Sequence, residues 1–335
     1  MKLLTKKFFL GISMVFLLTA CSNAHNDSAN TESSKASQTV QDTKERSDVT
    51  YQTQIPDISS TAESIKNNVP DQEDKLRTEL ISSLDIVQNI SEILDLELPK
   101  DEINIDELKD YSAICITLYQ KMDLSFLSDL PELKVLIITN GEEDIVPEPC
   151  NESYAESYDF LKSLSNLEYL RISKEPDFNT ECLQDMDNLK YLHFYGTNID
   201  FEGYFPNIEE LEISGGELSS KELYDFFPNL TGLSTYAINI SLKSVGKMNQ
   251  LEILRLSYGQ SYSEISEIVN NKHLRTLTLA SKTTGGYTEL VDDEEFVLEL
   301  DELQYFWCLE GVISDETIIR LLEVNPQCDV FNHGM

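Results

Sequence analysis

The sequence predicts an α/β solenoid, in which short parallel strands form one sheet and short helical turns cover its other side. An apolar pattern of the form L-x-x-L-x-L recurs along the chain, and most of its copies begin 19 to 23 residues apart. A second apolar set, spaced by three, precedes the strands, as in Leu161, Leu164 and Leu167. Repeats of this length cannot bury an apolar face alone, so neighbouring units are expected to stack around a continuous core.

The copies can be aligned at nine places, of which the first is degenerate: Tyr111, Leu133, Leu167, Leu189, Ile208, Leu230, Leu251, Leu274 and Leu303. Two intervals are long, 34 and 29 residues, because insertions fall in 140–160 and 283–300. Both insertions are acidic, but neither has the alternating oxygen ligands of a calcium loop. We therefore predict solvated loops there and no metal site.

In each copy the second and third apolar residues are two positions apart, so on a strand both point into the core. The residues beside them face outward and form columns on the concave side. Ten of these outward residues are predicted to bind a ligand: Tyr169, Arg171, Tyr191, His193, Tyr195, Glu212, Tyr236, Arg255, Tyr305 and Trp307. Aromatic and arginine side chains dominate binding hot spots. The alternative is that strands simply favour aromatic residues on any face.

His193 also raises the possibility of catalysis, because Glu210 and Glu212 lie one strand away, about 5 Å by strand spacing. However, no nucleophile with an oxyanion-forming turn accompanies the pair. The sequence also has no G-x-S-x-G, H-E-x-x-H or phosphate-binding glycine loop. An enzyme using His193 and Glu212 is therefore the minor hypothesis. We predict no enzymatic activity and no cofactor.

The N-terminus reads as a targeting segment. Lys2, Lys6 and Lys7 precede an apolar stretch, 8–20, that is too short to span a bilayer core of about 30 Å. Residues 1–20 are therefore predicted to be a signal peptide. The stretch ends in L-T-A-C, which resembles the lipobox of bacterial lipoproteins. The resemblance implies cleavage before Cys21 and lipidation of that cysteine; an ordinary secretory signal is the alternative.

The segment 21–74 is rich in Ser, Thr, Asn, Asp, Gln, Glu and Lys, a composition that cannot bury enough apolar surface to fold. We predict a tether that carries the folded part away from the membrane. The formal net charge is −35, and removing 1–20 takes away three lysines and leaves −38. Phosphate backbones and anionic lipid surfaces would repel such a chain. Nucleic acid is therefore not an expected partner, and contact with the membrane is expected only through the lipid.

Five cysteines remain besides Cys21, and an odd number argues against a complete set of disulfides. No pair has the C-x-x-C spacing of a metal site. Cys308 occupies a core position of its repeat and reads as a buried apolar residue. Whether Cys308 and Cys328 form a disulfide is left open by the sequence.

The repeats resemble bacterial leucine-rich repeats of the internalin-like, 22-residue type. The resemblance implies a leucine-rich repeat solenoid, shaped as a horseshoe or arc, with its parallel sheet on the concave side. The segment 75–110 is similar to the helical N-terminal cap of such domains, with Leu80, Leu84, Val87 and Ile90 on one helical face. The repeat domain would occupy 111–335. It would end in a C-terminal cap that has a helix beginning after Ser314 and a last strand, 328–331.

These observations together predict a lipid-anchored protein of the cell membrane, facing outside the cytoplasm, that binds a protein, or a glycan, on its concave face. The alternative is a structural lipoprotein of envelope assembly, whose partner is another bacterial surface component.

Overall fold

The computed structural model describes residues 93–99, 103–141, 148–280, 291, 293–309 and 311–333. The predicted signal peptide, Cys21, the tether and the predicted helix that carries Leu80 lie outside the described residues, as do parts of both insertions.

Thirteen strands are present among the described residues. They are β1 (Leu94–Leu98), β2 (Ala113–Leu118), β3 (Val135–Asn140), β4 (Tyr169–Ser173), β5 (Phe178–Asn179), β6 (Tyr191–Tyr195), β7 (Ile199–Asp200), β8 (Glu210–Ser214), β9 (Gly232–Tyr236), β10 (Ile253–Ser257), β11 (Thr276–Ala280), β12 (Tyr305–Leu309) and β13 (Asp329–His333). The described residues also contain three α-helices, α1 (Ile105–Leu108), α2 (Leu242–Val245) and α3 (Asp315–Val324). Six 3₁₀ segments complete the set: Ser125–Asp129, Asp159–Ser163, Thr180–Leu183, Leu223–Asp225, Ile265–Asn270 and Glu294–Glu299.

Eleven strands form one sheet in the order β1-β2-β3-β4-β6-β8-β9-β10-β11-β12-β13, and every pairing in it is parallel. β5 and β7 form a separate two-stranded ladder. Sequence order equals spatial order along the main sheet, which is what stacking of successive repeats requires. The predicted fold class, an α/β solenoid with a parallel sheet, is confirmed.

The inward-facing apolar residues form one core that runs along the sheet. Leu211 and Ile213 of β8, for example, are buried, whereas their neighbours on β8, Glu210 and Glu212, are partly exposed. This alternation is the period of two that a strand imposes. We call the other side of the sheet, turned away from the helical turns, the concave face.

The sheet begins one strand earlier than the sequence predicts. The nine aligned copies start at Tyr111, but β1 precedes them and pairs in parallel with β2. Leu94, Leu96 and Leu98 are buried there, and the acidic residues between them alternate to the concave face. The short L-D-L-E-L stretch lacks the full repeat pattern, yet its strict alternation is that of a half-buried strand.

The layer behind the sheet consists mostly of 3₁₀ turns rather than α-helices. The backbone N–H of Leu164 bonds to the carbonyl of Leu161 at 2.9 Å, and the N–H of Leu167 bonds to that of Leu164 at 3.1 Å. All three side chains are buried. The apolar spacing of three agrees with the three residues per turn of a 3₁₀-helix.

Asparagines at the corner between helical turn and strand link successive repeats. Asn166, Asn188 and Asn229 each donate a side-chain hydrogen bond to a backbone carbonyl one repeat earlier, at 3.0, 2.8 and 3.0 Å. Each of these bonds therefore pairs a backbone carbonyl in the turn that precedes the strand of the earlier repeat.

A helix and a strand follow the last repeat, at the position of the predicted C-terminal cap. Ser314 is the N-cap of α3, and its hydroxyl accepts a hydrogen bond from the N–H of Thr317 at 3.3 Å. After the helix, β13 pairs in parallel with β12. Cys308 and Cys328 are both buried thiols, and burial raises the pKa of each to about 12.

Candidate ligand-binding face

The register of the sheet aligns the predicted columns as the repeats suggest. Between β4 and β6, Tyr169 lies opposite Tyr191, Arg171 opposite His193, and Ser173 opposite Tyr195. Adjacent strands are about 4.8 Å apart. The first five residues of the predicted site therefore occupy one continuous patch on two neighbouring strands.

On the next two strands the outward side chains change in character: they are acidic on β8 and mostly small on β9. Glu210 and Glu212 on β8 lie opposite Tyr191 and His193 on β6. On β9, Gly232 and Ser234 follow in the same two columns, and Tyr236 follows in the third. Arg255 on β10 lies opposite Ser234. Eight of the ten predicted residues are thus brought together on the five strands from β4 to β10.

Two of the tyrosines are held by a neighbour. The guanidinium carbon of Arg171 lies 5.3 Å from the centroid of the Tyr195 ring, within the range of a cation–π contact. The Nε of Arg171 also donates to the hydroxyl of Ser173 at 3.1 Å. The ring of Tyr236 meets the ring of Tyr258 edge to face, with centroids 5.1 Å apart. Both rings are therefore fixed in orientation on the face.

Charges of both signs meet in the middle column. Nε2 of His193 lies 3.4 Å from Oε1 of Glu212. Burial lowers the pKa of Arg255, and the carboxylates of Glu212 and Glu210 oppose that lowering. Burial also raises the pKa of Tyr191, and Glu210 adds to the effect. Glu212 therefore interacts electrostatically with both His193 and Arg255.

The exposure of these side chains is uneven. Tyr169, Arg171 and His193 are buried, with 7, 7 and 6% of their surface exposed. The other seven predicted residues are half-buried: Tyr191, Tyr195, Glu212, Tyr236, Arg255, Tyr305 and Trp307. The half-buried residues offer the surface that a partner could contact, and the three buried ones support it from below and beside.

Tyr305 and Trp307 form a separate group near the C-terminal end. They lie on β12 opposite Thr276 and Thr278 of β11. Two whole strands, β10 and β11, separate them from Tyr236 on β9. On their other side the register adds Phe331 opposite Trp307, a half-buried aromatic residue that sequence reasoning did not include in the site.

Two small residues of the outward columns, Ser214 and Gly232, were not among the ten residues predicted to bind a ligand. Ser214 lies between Tyr195 and Tyr236, and Gly232 lies beside Glu210. A Cβ built on Gly232 would meet Cγ of Glu210 at 3.0 Å, so the glycine gives the Glu210 side chain room to lie over β9. The small residues occupy the same outward positions of the repeat as the large side chains, so the columns read from the sequence already contain them.

No group of three or more His, Cys, Asp or Glu side chains in the described ranges is arranged to hold a metal ion. Within the same ranges, none of the helices has the length and apolar character needed to cross a membrane.

No protein-family model matches the sequence, and no curated protein matches it. Solved structures with similar backbones include an internalin (inlF) from Listeria monocytogenes, which is 19% identical with a TM-score of 0.49, over 73% of this chain and 68% of that one. A leucine-rich repeat protein from Leptospira interrogans is 18% identical with a TM-score of 0.34, over 71% of this chain and 54% of that one. A protein from Bacteroides fragilis is 16% identical with a TM-score of 0.32, over 77% and 73%.

The repeats place their strands in parallel and in sequence order, with helical turns behind them. The described part of the chain is a leucine-rich repeat solenoid.

Proposed function

We propose that this protein is a lipid-anchored binding module of the cell surface, and that its concave face holds another protein. The observation that carries the proposal is the alignment of aromatic and charged residues in three columns from β4 to β10. Rigid aromatic and arginine side chains at the centre of a surface are the usual source of binding energy between proteins. Leucine-rich repeat solenoids in general are scaffolds of protein binding, which supports the choice of a protein as the ligand.

The anchoring part of the proposal rests on the sequence alone. Lys2, Lys6 and Lys7, the apolar stretch 8–20 and Cys21 have the order of a lipoprotein signal. A cysteine that carries two or more acyl chains would hold the protein firmly to a membrane, since each buried CH₂ contributes about 0.8 kcal/mol. The tether 21–74 would then give the solenoid reach from that membrane.

An envelope-assembly role is the second candidate, and it uses the same face with another bacterial surface component as the partner. An enzyme is the third, because His193 and Glu212 do lie 3.4 Å apart. Against the enzyme, the backbone N–H groups around the pair belong to β6 and β8 and are used in the sheet. They cannot form an oxyanion hole, which such a pair would need for acyl transfer.

A photo-cross-linking amino acid placed on the full chain in bacterial cells tests the proposal. It would replace Tyr195, on the concave face, or Tyr204, which is 63% exposed and outside the sheet. We expect one protein to be cross-linked from position 195 and not from 204, and mass spectrometry would identify it. The same set of proteins from both positions, or none from 195, would contradict the proposal.

A further inference from the structure

Two buried side chains at the ends of β3 and β4 bring acceptor oxygens together inside the protein. Asn140 is the last residue of β3, and Glu175 lies two residues beyond the end of β4; both are 0% exposed. Nδ2 of Asn140 donates to Oε2 of Glu175 at 2.8 Å. The remaining oxygens, Oδ1 of Asn140 and Oε1 of Glu175, are also buried, and no donor among the described residues reaches either. We call these two atoms the oxygen pair.

The donors around Glu175 are all on its other oxygen. Asn140, Ser153 and Tyr158 approach Oε2 at 2.8, 2.9 and 2.7 Å. The Ser153 hydroxyl also lies 2.9 Å from the carbonyl oxygen of Ala155, so its single proton is divided between two acceptors. A carboxylate offers about four lone-pair sites on its two oxygens. Leaving those of Oε1 without a partner in the interior is costly.

The charge of Glu175 also lacks a protein cation. Its three donors are neutral groups, and none of the ion pairs between described residues includes Glu175. A buried carboxylate needs an opposite charge as well as hydrogen bonds. One monovalent cation balances the formal charge of −1, whereas a divalent cation would leave an excess of one positive charge in the interior.

We propose that the oxygen pair binds one monovalent metal cation, Na⁺ or K⁺. Carboxylate and amide oxygens are the ligands that hard cations take, and backbone carbonyl oxygens or water would complete the coordination. The sequence predicts a solvated loop and no metal site in the insertion 140–160. That prediction considered the acidic residues of the insertion itself, whereas the carboxylate proposed here, Glu175, comes from the chain that follows β4.

An acidic cavity next to the oxygen pair offers a route for a small cation. The cavity has a volume of about 410 Å³, and Glu148, Glu152, Cys150 and Lys174 are among the residues that line it. Cys150 connects it to the site, because its thiol lies 3.1 Å from the backbone carbonyl oxygen of Asn140. The formal charge of −35 concentrates small cations around the whole chain.

A cation at the oxygen pair would hold the insertion in place. Ser153 and Tyr158 bond to the Glu175 carboxylate from the insertion. Backbone bonds flank them: the N–H of Cys150 donates to the carbonyl of Lys174 at 3.0 Å, and the N–H of Glu156 donates to that of Met122 at 2.9 Å. A ligand that binds the folded site stabilises it against local opening. These flanking amides should therefore exchange more slowly when the cation is present.

The test is amide hydrogen exchange of the full chain in a neutral detergent, followed by mass spectrometry. Exchange would be compared in NaCl, KCl and N-methylglucamine chloride at equal ionic strength, so that screening of the net charge is the same. We expect peptides from 148–158 to exchange at least about tenfold faster in N-methylglucamine chloride than in NaCl or KCl, because the organic cation is too large to enter. Peptides from 315–325, in α3, are the reference and should exchange equally in all three salts.

Two variants separate the cation from the hydrogen bonds. Glu175→Gln removes the charge and should abolish the difference between the salts. Ser153→Ala removes a donor to Oε2 only, so it should speed exchange in every salt and keep the difference. If Glu175→Gln does not fold, the parent protein decides: a difference confined to 148–158 supports the site, and one spread over all peptides contradicts it.

Four results would overturn the inference. Equal exchange of 148–158 in the three salts would mean that water or a proton, and no metal cation, meets the oxygen pair. An equal salt effect at 148–158 and at the α3 reference would be a general effect on stability. A difference that persists in a folded Glu175→Gln variant would place the cation elsewhere. Slowing by CaCl₂ alone, lost in Glu175→Gln, would make the site divalent.

Discussion

At the scale of single residues, Glu175 places a carboxylate in the interior of the protein. Its side chain is completely buried, and its Oε2 accepts hydrogen bonds from Asn140, Ser153 and Tyr158 at 2.8, 2.9 and 2.7 Å. A buried carboxylate is tolerated only when hydrogen bonds replace its water. Since Ser153 and Tyr158 belong to the insertion, Glu175 fixes that insertion to the ends of β3 and β4.

Tyr158→Phe removes one donor to this carboxylate while it keeps the ring. Burial raises the pKa of Tyr158, and Glu175 adds to it, so the hydroxyl stays protonated and donates throughout the ordinary pH range. We expect a loss of about 1.5–3 kcal/mol in the free energy of unfolding, measured with urea. Tyr154→Phe is the matched control in the same insertion, because within the described residues the Tyr154 hydroxyl has no hydrogen bond. Equal losses in both variants would contradict the account.

The columns of the concave face could be predicted residue by residue, but Glu175 could not. Outward positions on a strand follow from its period of two, and the strand pairings reproduce them, for example Arg171 opposite His193. Glu175 follows Lys174, which has a φ of 61°, so the chain leaves the strand there. A charged residue after a strand reads as solvated, and no spacing in the sequence indicates that this one turns inward.

At the scale of elements, the helical turns and the last cap were predictable, but the type of turn and the first strand were not. The apolar spacing of three identified every turn, although a spacing of three does not by itself separate α from 3₁₀ geometry. Among the α-helices of the described residues, α3, with ten residues, alone extends well beyond a single turn. β1 was missed because it carries the strand alternation without the rest of the repeat.

Replacing Gly216 by alanine tests how closely neighbouring turns are packed. It has a φ of +82°, and an added Cβ would lie 2.0 Å from the backbone carbonyl oxygen of Thr197. Gly259 has a similar φ of +74°, but its Cβ would meet nothing closer than 3.4 Å. Gly259→Ala should therefore cost only the left-handed strain, about 1–2 kcal/mol. Gly216→Ala should cost clearly more, because backbone must also move; equal urea midpoints for the two variants would show that the turns are not packed this closely.

Glu294 links the last 3₁₀ segment to the cap helix and gives stability a dependence on pH. Burial alone would raise the pKa of Glu294, but hydrogen bonds from Ser314 and Thr317 outweigh it and hold the pKa below its ordinary value. Its stabilisation is therefore complete above the unfolded pKa of about 4.3 and is lost as the pH falls through the lower folded pKa.

Glu294→Gln should lower the urea midpoint at pH 7, and the difference from the parent should shrink steadily below pH 4. Glu299→Gln, an exposed residue of the same 3₁₀ segment, is the control and should have little effect at either pH. A difference between Glu294→Gln and the parent that stays constant down to pH 3 would mean that the carboxylate does not carry the link.

At the scale of the whole molecule, we expect net charge to dominate the way in which stability against unfolding depends on salt concentration. The ion pairs between side chains on the described surface are largely exposed, such as Lys109–Asp106 and Arg320–Glu295, and exposed pairs contribute little. A formal charge of −35, in contrast, opposes compaction through repulsion that salt screens within about 10 Å at 0.1 M.

We therefore expect the urea midpoint to rise between 20 mM and 500 mM NaCl. The same series with sucrose in place of the salt separates screening from the general effect of solutes that are excluded from the protein surface. A midpoint that falls with NaCl would show that ion pairs outweigh the repulsion.

The architecture of the whole molecule was the most predictable feature. Repeats of one length that cannot fold singly leave few arrangements besides a solenoid, so the fold follows from periodicity. The ligand does not follow from it, because the same solenoid serves many partners and only the side chains on its face differ.

The affinity of the purified, cross-linked partner for the Tyr195→Ala/Tyr236→Ala variant, measured by calorimetry beside Tyr204→Ala, is the most direct test of the concave face as the binding site. The account predicts a dissociation constant at least about 30-fold higher for the double variant, which corresponds to a hot-spot loss of about 2 kcal/mol, and no change for Tyr204→Ala. An unchanged affinity in a double variant that still unfolds cooperatively would contradict it.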